Sequence, residues 1–208
     1  MNFSTKLVTT SSSHFLTGGV KPGAPASFVP TEILYHRLQV TASPDVKFTY
    51  SYGSGSGRYV KSDGSPIADS ELHAILSDLH DGSLGNLPLL YNPNIAPKIT
   101  VHKSCYIVIE LVSPQNMMFC PGDYAVKIDA SKANYYCLLQ HYDSDTVPIG
   151  NAGDLCPATP PCRFISFGAQ NWVNFRDDLF SLQMLFDQGG GDTMTATIDP
   201  AIKNRGDG

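Results

Sequence analysis

The chain has 208 residues, 42% of them apolar and only 16% charged, with 18 Gly, 15 Pro and a formal net charge of −5. That apolar content supports a core and excludes a disordered chain. The acidic balance excludes a broad phosphate-binding surface, so no nucleic-acid partner is expected.

Residues 1–31 are rich in Ser, Thr, Gly and Pro and read as an arm or irregular segment, with a short strand over Lys6–Thr10. A secretory leader needs an apolar run of about 7–15 residues near its start. The opening MNFSTKLVTTSSS has none, so the expected compartment is the cytoplasm, with leaderless export as the alternative. No stretch approaches the roughly 18 consecutive apolar residues of a membrane-spanning helix.

Strand patterns follow. In Glu32–Thr41, Leu34, His36, Leu38 and Val40 share one face, and Tyr35, Arg37 and Gln39 the other. In Asp45–Tyr52, Val46, Phe48, Tyr50 and Tyr52 alternate with Lys47, Thr49 and Ser51. Period two with one polar face predicts a half-buried strand. Gly53-Ser54-Gly55-Ser56-Gly57 predicts a hairpin tip, with Arg58-Tyr59-Val60 starting the return strand.

Leu72, Ile75, Leu76 and Leu79 fall at i, i+3, i+4 and i+7, one stripe of a short helix. Asp69 or Ser70 is the expected cap, Glu71 suits the positive first turn, and Gly82 is the expected stop. Leu87–Pro97 carries three prolines and reads as a connector.

Seven strand-like runs come next, at Lys98–His102, Cys105–Val112, Tyr124–Ile128, Asn134–Tyr142, Arg163–Ala169, Leu179–Phe186 and Thr193–Ile198. Cys105–Val112 is apolar on both faces, as a central strand requires. The pattern predicts a mainly β fold: an antiparallel Greek-key β-sandwich of immunoglobulin-like or jelly-roll type over 97–204. The segment 32–96 adds a hairpin and the helix, docked on the same core. Its elements are too few to stand alone, so 1–208 is read as a single integrated domain.

Few patterns carry chemistry. The glycine stretch lacks the Gly-Lys-Ser/Thr of a phosphate loop, but Tyr50, Tyr52, Arg58 and Tyr59 flank it as aromatic and basic groups flank a recognition loop. The one tryptophan lies in Gln170-Asn171-Trp172-Val173-Asn174-Phe175-Arg176. An indole beside Asn171, Asn174 and Arg176 offers a stacking face with polar neighbours, which suits a sugar ring. Asp143, Asp145, Asn151 and Asp154 supply loop oxygens without the spacing of a calcium-binding loop. The histidines (His14, His36, His73, His80, His102 and His141) form no metal-ligand spacing, so no metal and no cofactor are expected.

Of five cysteines, Cys105 and Cys137 fall in apolar runs and read as buried small hydrophobes. Cys156 and Cys162 bracket a Pro-rich loop that must turn back, which brings them close. They are expected as free thiols in a cytosol, and as a loop-closing disulfide in an oxidising compartment. Arg205-Gly206-Asp207 matches a cell-adhesion tripeptide, a three-residue pattern common by chance.

The leading expectation is a non-enzymatic binding or structural module with a protein or glycan ligand. The alternatives are a carbohydrate-binding, lectin-like protein using Trp172, Asn171, Asn174, Arg176, Tyr52, Arg58 and Tyr59, and a hydrolase whose catalytic residues are dispersed. A large flat apolar face would instead mark a homo-oligomer.

Overall fold

The computed structural model describes residues 23–42, 48–53, 55–82, 89–92, 99–112, 116–128, 135–170, 176–189, 192–198 and 201–204. The first alternating run forms β1 (Glu32–Ala42). Its parity is the one read from the sequence: Leu34, Leu38 and Val40 enter one buried cluster, and Ile33 and Tyr35 enter another.

β2 (Phe48–Tyr52) and β3 (Gly57–Lys61) both run antiparallel to β1. β2 pairs from Ala42 to Leu38, and β3 from Tyr35 to Glu32. Leu38 and Tyr35 also pair with a strand on the other side of β1, so β2 and β3 lie in line along one edge. The glycine stretch is therefore a bulge, not the expected hairpin tip. The ladder is interrupted between Tyr52 and Gly57, at His36 and Arg37 of β1. The reason is backbone satisfaction. Gly53 N–H donates to the Arg37 carbonyl at 2.7 Å, and Arg37 N–H donates to Ser56 Oγ at 2.9 Å. The ladder groups of β1 stay paired across the insertion, so the edge continues.

The helix α1 spans Asp69–Asp81 and buries Leu72, Ile75, Leu76 and Leu79. Its first residue is preceded by Ala68, not capped by Asp69 or Ser70. Glu71 does the capping by accepting the Ala68 N–H at 2.8 Å. Gly82 stops the helix in the left-handed region at φ 70°, and its N–H donates to Asp78 O.

β4 (Leu89–Asn92) pairs with β3 inside the segment expected to be a connector. Then come β5 (Ile99–Val101), β6 (Cys105–Leu111), β7 (Met117–Phe119), β8 (Val126–Ile128), β9 (Tyr136–Tyr142) and β10 (Pro148–Ile149). β11 (Phe164–Ala169), β12 (Arg176–Gly189), β13 (Asp192–Ile198) and β14 (Ala201–Asn204) complete the order. β14 follows Asp199-Pro200, where the pattern predicted no further strand.

One sheet has eight strands, ordered β10-β9-β11-β6-β1-β3-β4 with β2 also on β1. The other has six, ordered β13-β12-β14-β5 with β7 and β8 also on β12. β1–β6 and β14–β5 are parallel pairs, which corrects the all-antiparallel expectation. Parallel pairing suits β1 and β6 because both are covered on both faces, and the long stretch between them supplies the crossover. The class is mainly β, with one short helix among the described residues, in open mixed sheets. The 32–92 strands are not an appendage, since β1 lies inside the larger sheet between β6 and β3.

The two sheets share a core. Ile107, Ile109, Ile165 and Phe167 from one meet Phe180, Leu182, Met184 and Ile198 from the other. On the opposite face of the larger sheet, α1 packs on Tyr35, Tyr59, Tyr106, Val108, Tyr142 and Phe164. β6 lies at the centre, and all seven of its residues are buried, Glu110 among them.

Candidate functional site

The β1–β6 register sets Arg37 directly beside Glu110. A carboxylate buried on a central strand is costly unless its oxygens are paired. Glu110 Oε2 accepts from the Tyr35 hydroxyl in a short contact and from Arg37 Nε at 2.9 Å. Glu110 Oε1 lies 3.3 Å from His80 Nδ1, carried by the last turn of α1. The His80 ring stands edge-on to Phe164, centroids 5.1 Å apart.

Exposure is graded across this cluster. Glu110 and Tyr35 are buried, whereas the Arg37 and His80 side chains are 28% and 35% exposed. His80 Nδ1 is itself shielded, so that exposure belongs to the rest of the ring. Burial, and then the Glu110 charge and hydrogen bond, push the Tyr35 hydroxyl far above its ordinary range, so it stays a donor. Burial pulls Arg37 down, but the hydrogen bond and charge of Glu110 outweigh it and the guanidinium is held charged.

The bulge sits against this cluster. Gly55 has φ +87°, and a Cβ there would stand 3.3 Å from Arg37 Cδ, so glycine fits on both counts. The Tyr59 hydroxyl donates to Gly55 O at 2.8 Å, and its ring packs on Tyr35 with centroids 6.3 Å apart. With the two bonds to Arg37, the bulge is fastened at Gly53, Gly55 and Ser56.

The residues expected to form a recognition site fall differently. Arg58 and Tyr59 are neighbours on β3 and point to opposite faces of the sheet. Arg58 pairs with buried Glu32 and donates to Thr100 O at 3.0 Å, while Tyr59 is buried under α1. Tyr52 pairs with Leu38 and Arg176 with Asn204, but their side chains lie outside the described part. Trp172, Asn171 and Asn174 lie outside the described residues, as do Lys6–Thr10 and Arg205-Gly206-Asp207.

The acidic loop groups serve turns. Asp143 Oδ1 accepts from the N–H of Asp145 and of Val147, each at 2.9 Å, and Asp154 Oδ2 from the N–H of Asn151 at 2.8 Å. Among the described residues no group of three or more His, Cys, Asp or Glu could hold a metal ion, and no helix is long and apolar enough to cross a membrane. Cys105 and Cys137 are buried small groups, as expected.

Glu110, Arg37, Tyr35 and His80 are not singled out by sequence, yet Glu110 and His80 leave a trace. Glu110 is the one acid inside the two-faced run Cys105–Val112, and such an acid must find partners. His80 follows Leu72 and Leu76 at i+8 and i+4, on the packing stripe itself. Compared with protein-family models, with curated proteins and with solved structures, the chain matches none.

Proposed function

We propose that this protein is a non-enzymatic binding module that meets its ligand with the bulge at Gly53, Gly55 and Ser56 and the polar rim of Arg37 and His80. The observation that carries this reading is the fastening of the bulge. A Gly/Ser segment, ordinarily adaptable, is tied by two hydrogen bonds to Arg37 of β1 and one to Tyr59 of β3, beside two partly exposed donor side chains. Irregular segments held on a rigid scaffold are where recognition concentrates, because preorganisation lowers the entropy cost of binding. The Arg and His donors favour a ligand rich in hydrogen-bond acceptors, such as a carboxylate or a glycan hydroxyl array.

The test is a glycan and acidic-peptide panel followed by amide chemical shifts of the labelled protein. Ligand-induced shifts concentrated at residues 37–39, 53–57 and 80 support the reading. Shifts concentrated at residues 170–176 instead would overturn it in favour of a lectin-like site at Trp172.

One contact favours a second reading, the hydrolase. A carboxylate oxygen lies 3.3 Å from His80 Nδ1 with no hydrogen bond formed between them, just beyond the spacing at which a carboxylate orients an imidazole as a general base, and the rest of the ring reaches solvent. Turnover of activated esters that disappears in His80→Ala would select it. Ester turnover that is absent in the parent, or unchanged in that variant, would remove it.

A further inference from the structure

Cys156 and Cys162 flank a five-residue loop containing Pro157, Pro160 and Pro161. Both side chains are buried. They converge on Phe119 of β7: its N–H donates to the Cys162 carbonyl at 3.0 Å, and its carbonyl accepts from Cys156 Sγ at 3.5 Å. Cys162 Sγ donates to Phe164 O at 3.2 Å, and Cys156 lies near enough to act on that thiol electrostatically. Their backbones are fixed on either side. Cys156 N–H donates to Asp123 O at 2.9 Å, and Gly122 N–H to Cys156 O at 2.8 Å. Beyond Cys162, Arg163 N–H donates to Tyr142 O at 3.0 Å.

We propose that Cys156 and Cys162 are a built disulfide site, which closes the Pro-rich loop when the chain folds in the presence of an oxidised small-molecule disulfide. In that exchange two S–H bonds and the external S–S bond break. The Cys156–Cys162 bond forms, and two small thiols leave with the protons and the two electrons. Burial, together with the neighbouring Cys156, holds the Cys162 thiol well above its ordinary range in the folded protein. The thiolate is the attacking species, so exchange is slow once the core has closed and the bond forms during folding. Cys120 is the competing partner. It is half-buried, outside the Pro-rich loop, and electrostatically close to Cys156.

The full chain, denatured and reduced, is refolded in a mixture of reduced and oxidised glutathione. Its thiols are then counted in denaturant and its linked peptides mapped by mass spectrometry. The expected result is three free thiols instead of five, with Cys156 linked to Cys162. Cys120→Ser should keep that link with two free thiols. Five free thiols in the refolded parent, or a link involving Cys120, would overturn the proposal. Either reading comes from the parent chain, so it stands whether or not a variant folds.

Discussion

Mild acid should destabilise this protein through two imidazoles that the fold buries in their neutral form. His36 lies on the sheet-to-sheet face of β1, where burial and the nearby Arg58 charge lower its pKa to about 3. His141 on β9 has no hydrogen-bond partner for either ring nitrogen among the described residues. Burial lowers its pKa to about 4 against a smaller opposing effect of Asp154. In the unfolded chain both titrate near 6.5. The unfolded state therefore takes up protons first, and stability present above pH 6.5 is lost as pH falls toward 4. One pKa unit is worth about 1.4 kcal/mol, so each histidine gives up about 2 kcal/mol between pH 6.5 and 5, whatever its folded pKa below that window. Together that is about 4 kcal/mol, against a total of roughly 5–15 kcal/mol for a typical domain. The carboxylates of Glu71 and Asp63, lowered by their hydrogen bonds, act only at more acid pH. Urea unfolding followed by circular dichroism at pH 7, 6 and 5 measures the loss directly. His141→Gln should roughly halve the slope, even if it is less stable at pH 7. A urea midpoint that stays flat from pH 6.5 to 5 would refute the reasoning.

Other perturbations test the packing. Arg37→Ala leaves Glu110 buried without its cation and should cost about 3 kcal/mol in urea unfolding. Gly55→Ala meets both a positive φ and Arg37 Cδ, whereas Gly64→Ala meets a positive φ in open space. Gly64→Ala should cost about 1 kcal/mol and Gly55→Ala about 1 kcal/mol more, read from thermal midpoints. Leu76→Ala empties a site under α1 that is 1% exposed, and should cost about 2–5 kcal/mol by urea unfolding.

What the sequence disclosed was local, and what it withheld was pairing. The parity of β1 and the stripe of α1 are readable because side-chain direction repeats with fixed period. The Gly53–Gly57 stretch forms a bulge where its composition predicts a tip, because composition is the same for a reversal and for a bulge. The difference lies in the Gly53 and Ser56 bonds to Arg37, sixteen and nineteen positions away. β4, β7, β10 and β14 span two to four residues each, too short for a periodic signal, and are held by their neighbours. The Glu110 cluster depends on a parallel register between β1 and β6, seventy-three positions apart at Arg37 and Glu110.

The strand order β13-β12-β14-β5 carries a consequence for the timing of folding. β14 lies between β12 and β5, and β5's partner in this ladder is β14. Ile99 therefore meets Ile202 across about a hundred residues of chain, a closure of the kind that slows folding to milliseconds or longer. During synthesis, β5 leaves the ribosome long before its partner exists. Until Ala201–Asn204 emerges, the facing edges of β5 and β12 stand open, and that interval is when the nascent chain is most exposed to wrong pairing.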